Sequence, residues 1–249
     1  MYAELLSTIQ KDGSDIARCN FVSFDILKEQ ETPNSNTRVR KYYSQSPINP
    51  LECEEIFLYH PAIWSNLYKK DLLDNNNIRM PETPGASFQD NAFLLETVGC
   101  AKKISLINKD FYHYRLHANQ SIRSSKVWFY EKINEKARSF LATIQDKELA
   151  ERLSIIYFRR SLYNYEYSLQ TLSKDEIPKM CHFILNETRK IPRSWVDRVC
   201  VTKREKILYM IFRYRLAYML YLFLIPITIF MQRSVKNKSM IHSLLEKFS

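Results

Sequence analysis

The sequence predicts an α/β chain whose second half is entirely helical, and two patterns predict it. Over residues 1–123 helix-like and strand-like stretches alternate, with apolar residues at helical spacing in some and in unbroken runs in others. After about residue 124 only the helical period remains, in segments rich in Lys, Glu, Leu and Tyr. The change falls near Ser124-Ser125 and divides the chain into regions 1–123 and 124–249.

The first region begins with a helix over residues 2–11, where Leu5, Leu6 and Ile9 share a face and Asp12-Gly13 gives a helix stop. From Asp15 to Leu27 an apolar run containing Ile16, Cys19, Phe21, Val22, Phe24 and Ile26 reads as a buried strand. Residues 28–50 are polar and rich in Pro and Asn, so they read as a long connection with a short strand at Val39–Tyr43. A short helix follows around Asp71-Leu72-Leu73-Asp74. Two prolines and a glycine make Met80–Ser87 a loop. Phe88–Cys100 is predicted as a helix with Asp90 in its first turn, and Lys103–Ile107 and Phe111–Arg115 as two short strands around Asn108-Lys109-Asp110. Four helical stretches are expected beyond, at roughly 126–145, 147–172, 174–190 and 194–235.

Composition narrows the function classes. The net charge of +10 invites a nucleic-acid reading, but no RNP-like, zinc-finger or helix-turn-helix pattern accompanies it, so no nucleic-acid partner is expected. Five cysteines, odd in number and without CxxC spacing, argue against a disulfide framework or a zinc site and fit a reducing compartment. Glycine occurs only at Gly13, Gly85 and Gly99. A complete nucleotide-binding α/β domain spends several glycines on tight turns and close phosphate approach, so a phosphate-cradling part is either missing or built differently.

Asp90 is the first candidate for chemistry. A carboxylate in the first turn of a helix faces unsatisfied N–H groups and the positive end of the helix dipole. Beside the Pro-Glu-Thr-Pro-Gly-Ala loop, such a group suits a general base taking a proton from an attacking hydroxyl, and equally suits a plain helix cap.

Five motifs in order bear on that choice: Trp64-Ser65-Asn66-Leu67-Tyr68-Lys69-Lys70, Ile78-Arg79-Met80-Pro81-Glu82, Gly85–Phe93, Tyr112-His113-Tyr114-Arg115 and Asn119-Gln120-Ser121. Together they resemble the second half of the family 2 glycosyltransferases of the GT-A fold, bacterial surface-polysaccharide branch. The resemblance covers residues 1–123. It implies the C-terminal half of a GT-A-like domain and inverting transfer of a sugar from a nucleotide diphosphate donor to a saccharide or lipid-linked acceptor. Gln89-Asp90 matches the family's acidic motif, which makes Asp90 the base. The resemblance further implies a divalent cation, Mn or Mg, with His117 as a metal or diphosphate contact; a solvent-facing loop histidine is the plainer alternative. Arg115 pairs with phosphate or with an internal carboxylate, and Trp64 floors the acceptor site or packs in the core. The family's Asp-x-Asp motif is absent, and the start of the chain resembles the helix that follows it. The expectation is therefore a donor-binding half that is missing or supplied by a separate chain, without which the chain is inactive. The rival reading is a non-catalytic, membrane-associated interaction module.

Residues 216–231 form sixteen uncharged positions, about 24 Å of helix against a hydrocarbon core of roughly 30 Å. Lys203, Arg204, Lys206, Arg213 and Arg215 precede the run and Arg233, Lys236 and Lys238 follow it. A helix over about 207–232 lying on the cytoplasmic face of the bacterial inner membrane fits this pattern, as does a packed core helix. Deleting residues 207–249 is expected to move the protein from the membrane to the soluble fraction. A full-length protein that is soluble without detergent would exclude the anchor.

Overall fold

The computed structural model describes residues 1–26, 29–33, 39–58, 61–82, 88–117 and 126–214. The chain divides into two compact units, one ending at Tyr163 and the other beginning at Asn164.

The first unit is built on a mixed sheet. Helix α1 (Tyr2–Asp12) ends at Gly13, whose φ of 66° places it in the left-handed region that closes a helix, as Asp12-Gly13 predicts. Strand β1 (Ile16–Asp25) is central. It pairs antiparallel with β2 (Gln30–Pro33) at its far end and with β3 (Asn66–Tyr68) at its near end. On its other side it pairs in parallel with β4 (Ile104–Leu116). Two short helices, α2 (Glu55–Leu58) and α3 (Lys70–Asn75), flank β3 in sequence, and α4 (Gln89–Cys100) leads into β4.

Alternation along β1 gives the sheet two working faces. Ala17 and Cys19 pack with Leu5 and Ile9 of α1. Ile16, with Ile104 and Leu106 of β4, faces the larger core, where Leu94, Leu95 and Val98 of α4 meet it. Helix α5 (Val127–Thr143) contributes Ala137 to that core, and α6 (Lys147–Thr171) contributes Leu153, Ile156 and Tyr157. The all-helical character thus begins with α5, as the sequence pattern indicates, while packing groups α5 and most of α6 with the sheet. Compactness divides the chain within α6; the composition boundary at Ser124-Ser125 lies outside the described residues.

The described part of the second unit holds the end of α6, α7 (Ile177–Lys190), the single turn α8 (Val196–Val199) and α9 (Lys203–Arg213). Its interior includes Tyr165, whose ring meets Phe183 and Phe212 edge-on at 5.9 and 6.2 Å.

Three expectations are corrected. Val39–Tyr43 is not a strand: Arg40–Gln45 forms a 3-10 helix, and the connection is tied to the sheet instead by reciprocal backbone bonds between Ile48 and Ile104 at 2.9 and 2.8 Å. The two short strands at 103–115 are one strand. The partner of β1 steps from Ile107 at Cys19 to Asp110 at Asn20 and Tyr112 at Phe21, so a bulge, not a turn, absorbs the extra residues. The helix expected over 194–235 is interrupted within its described part. Thr202 and Glu205 form a reciprocal capping box, with bonds of 3.2 and 2.7 Å, that starts α9 afresh. The apolar run 216–231 lies outside the described residues, as do the Pro84–Ser87 part of the loop before α4 and Asn119-Gln120-Ser121.

Gly99 sits where α4 meets its helical neighbours. A Cβ placed there lies 3.2 Å from Leu153 Cδ1 and 3.3 Å from Phe140 Cζ, both ends of flexible side chains. Gly99→Ala is expected to be near neutral, since helix propensity offsets a small adjustment. Gly99→Leu overpacks the contact and is expected to cost about 1–3 kcal/mol in urea unfolding.

Candidate active site

Asp90 stands at the second position of α4, and the chain reaches it through an uncommon turn. Phe88, the residue preceding the helix, has φ 60° and ψ 5°, a left-handed conformation that costs a bulky residue about 1 kcal/mol or more. The carbonyl of Phe88 accepts from Asn91 N–H at 3.0 Å, and its ring lies 4.5 Å from that of Tyr130 on α5. Gln89 donates from Nε2 to the Pro81 carbonyl at 3.1 Å, joining the helix start to the chain before the loop.

The Asp90 side chain is half-buried. Loss of solvent pushes its pKa up from the ordinary aspartate value. The Arg160 guanidinium opposes that rise, as do the backbone N–H groups of Asn91 and of Asp90 itself. The net direction is upward, so desolvation outweighs the stabilising groups.

Of three further residues around Asp90, Arg160 and Arg18 were not singled out by sequence, and Tyr68 entered only within the motif that begins at Trp64. Arg160, on α6, is 6% exposed; it donates from Nε to Asn91 Oδ1 at 2.7 Å and from a terminal nitrogen to the Phe57 carbonyl at 2.5 Å. Burial lowers its pKa to about 10, with Asp90 working to raise it and Arg18 to lower it further, and it stays charged at neutral pH. Arg18 lies on β1 opposite Asn66 of β3 and Leu106 of β4, and its guanidinium pKa is lowered by burial among Tyr68, Tyr43, Cys53 and Cys19. Tyr68 accepts from Asn66 Nδ2 at 2.7 Å. Burial raises its hydroxyl to about 12; Arg18 draws that value down and Asp90 pushes it up. Asp90, Tyr68, Arg18 and Arg160 therefore form one electrostatic group beneath the start of α4. The available signal was burial of arginine in apolar context: Arg18 interrupts Ile16-Ala17-Arg18-Cys19, and Arg160 closes Ile155-Ile156-Tyr157-Phe158-Arg159-Arg160.

The other predicted residues lie elsewhere on the sheet. Trp64, in a 3-10 turn before β3, is half-buried against an aromatic ladder. Its ring stacks at 4.2 Å on Tyr112 and at 5.0 Å on Tyr114, and meets Phe21 edge-on at 4.7 Å. Arg115 pairs in register with Phe24 and is exposed, and His117, also exposed, follows the end of β4. Phe24 is six positions beyond Arg18 on β1, roughly 20 Å at about 3.3 Å per residue. The register thus brings Trp64 to the Tyr112–Tyr114 part of the ladder and sets Arg115 and His117 toward its far end, away from Arg18. Among the described residues no three His, Cys, Asp or Glu side chains converge to hold a metal, so the implied divalent cation has no fitting donor set among them.

No protein-family model and no curated protein sequence matches the chain. Solved structures do. Residues 1–349 of TarS from S. aureus, in complex with UDP-GlcNAc, superimpose with a TM-score of 0.61 at 14% identity over 85% of this chain and 60% of that one. TarS 1–349 crystallised without a named ligand gives 0.58 at 16% identity over 85% and 58%, and its UDP complex 0.55 at 14% over 85% and 57%. The chain shares the fold of these TarS structures. At such identity the likeness is one of architecture, and the chain spans about 60% of the length of the first TarS structure.

The aromatic ladder predicts a structural contribution from Trp64 that is separable from any contact with substrate. Trp64→Ala is expected to lower stability by about 2–3 kcal/mol, and Trp64→Phe by less, because a smaller ring retains part of the stack on Tyr112 and Tyr114. Thermal unfolding of both variants checks it; a Trp64→Ala protein as stable as the parent would remove the ladder from the folding core.

Proposed function

We propose that this chain carries the acceptor-side, base-bearing part of an inverting nucleotide-sugar glycosyltransferase of family 2 and GT-A type, acting in surface polysaccharide synthesis. The observation that carries the reading is the half-buried Asp90 carboxylate at the start of α4, raised in pKa and faced by a buried guanidinium. It lies within a fold shared with a protein solved with UDP-GlcNAc bound.

The chemistry follows from the position of the carboxylate. Ionised Asp90 accepts the proton of an acceptor hydroxyl as that oxygen attacks the anomeric carbon of a nucleotide sugar. The C–O bond to the nucleoside diphosphate breaks on the opposite face, so the sugar is transferred with inversion. A carboxylate whose pKa stands above the ordinary value is the stronger base once ionised, and the hydroxyl's proton needs such a partner. Gln89, bonded to the Pro81 carbonyl, steadies the helix start from which Asp90 projects. Trp64 contributes a sugar-stacking edge at the acceptor side under this proposal.

The acceptor is a saccharide or a lipid-linked saccharide, reached at the cytoplasmic face of a bacterial inner membrane. Helix α9 supports that location. Ile207, Met210 and Tyr214 form an exposed apolar stripe at and just beyond it, with exposed Lys203 and Lys206 alongside. No helix among the described residues is long and apolar enough to cross a membrane.

Asp90→Asn keeps the side-chain shape and removes the base. In the protein reassembled with a donor-binding half, transfer from a panel of uridine diphosphate sugars is expected to fall by about a hundredfold or more with the circular dichroism spectrum unchanged. The base works only when ionised, and its pKa is raised, so activity is lost as pH falls through that raised value. The acid limb of the parent's kcat/KM profile is therefore expected above the range of an ordinary aspartate. Full transfer by Asp90→Asn would exclude Asp90 as the base.

A further inference from the structure

The three groups bonded or coupled through Arg160 belong to two elements: Asn91 and the Asp90 carboxylate on α4, and Phe57 near the end of α2. Among the described residues two groups from other elements act electrostatically with that carboxylate, the guanidinium of Arg160 from α6 and the phenol of Tyr68 from β3. Only the first carries charge at neutral pH, since burial holds Tyr68 protonated up to about 12. Arg18 acts one step removed, on Arg160 and on Tyr68.

From this geometry we infer that Arg160 is the positioning residue of the Asp90 base, orienting the first turn of α4 through Asn91. This rests on the proposed role of Asp90. The Nε bond to Asn91 Oδ1 fixes the residue next to Asp90, and a helix residue cannot rotate without its neighbour. The second bond, to the Phe57 carbonyl, prevents the guanidinium from swinging away to another acceptor. A lysine in its place keeps one charge and loses the fork that reaches both acceptors at once. A helix staple of purely structural value would cost stability without a selective loss of kcat; a positioning residue lowers kcat while KM is kept.

The test compares Arg160→Gln and Arg160→Lys with the parent, reading the carbon-13 titration of the Asp90 carboxyl as well as kcat and KM. Removing the charge in Arg160→Gln takes away an influence that lowers the Asp90 pKa, so the titration midpoint is expected to rise by about one pH unit. In Arg160→Lys it is expected to stay within about half a unit, the charge being retained. In both variants kcat is expected to fall about tenfold or more, with KM within about threefold, because a misdirected base affects the reacting geometry. An unmoved midpoint in Arg160→Gln, or a loss confined to KM, would overturn the inference. If Arg160→Gln does not fold, Arg160→Lys decides alone, and a parental kcat there overturns it. The two readings fail differently. Transfer retained in Asp90→Asn with a shifted midpoint in Arg160→Gln removes the base and leaves the pairing. Transfer lost in Asp90→Asn with an unmoved midpoint removes the pairing and leaves the base.

Discussion

The guanidinium of Arg160 donates to Asn91 Oδ1 at the start of α4 and to the Phe57 carbonyl at the end of α2, and it comes from α6. Two of those acceptors lie far away in sequence, so no local propensity brings them together. A buried guanidinium left without acceptors carries a desolvation penalty of several kcal/mol, and breaking one of its bonds exposes the structure to much of that penalty. The arrangement of α2, α4 and α6 around the sheet is constrained accordingly: each must present its acceptor, or its donor, at the same buried point. The same constraint determines where the first turn of α4 begins, and with it the direction in which Asp90 projects.

The sheet supplies the second half of the support. Strand β1 is central and paired on both sides, so its side chains are fixed by ladders to β3 and β4 as well as by packing. Ala17 and Cys19 are committed to α1, which leaves the opposite face of the same strand to present Arg18 beneath the helices. Tyr68, at the end of β3, pairs with Ile16 and brings a phenol beside the same group of charges. Farther along, the bulge at Asn20 releases β4 from strict register, and the Phe21–Trp64–Tyr112–Tyr114 cluster begins where it ends. A charged site near α4 and an aromatic platform toward the far end thus share one pair of strands.

Much of this was legible before the structure. Gly13 as a helix stop, the buried strand after it, and a helix carrying Asp90 in its first turn all follow from patterns a few residues long. What escaped the sequence depends on distance. Arg18 and Arg160 are charged residues in apolar surroundings, and a lone sequence cannot tell a buried guanidinium from one that reaches to solvent along its own aliphatic stem. The continuous β4 was split because Asn108-Lys109-Asp110 has turn composition, yet those residues sit in a bulge whose existence is fixed by the partner strand. Val39–Tyr43 has strand composition but follows a 3-10 path, with the neighbouring Ile48 making the sheet contact instead. The break before α9 was readable, since Thr202 and Glu205 stand at capping-box spacing; apolar periodicity on both sides obscured it.

Opposing effects of different size set the character of Asp90. Burial alone raises a carboxyl by up to about 3–5 pH units, and a neighbouring opposite charge lowers it by about 1–3. Here the first prevails and the second moderates it. Without the guanidinium, desolvation would raise the carboxyl further, and a protonated carboxyl cannot accept a proton. With full solvation the carboxylate would be ionised but a weaker base. A half-buried position at a helix start, opposed by one charged side chain from a distant helix, lies between these limits. That intermediate setting supports the proposed reading of Asp90 as a base.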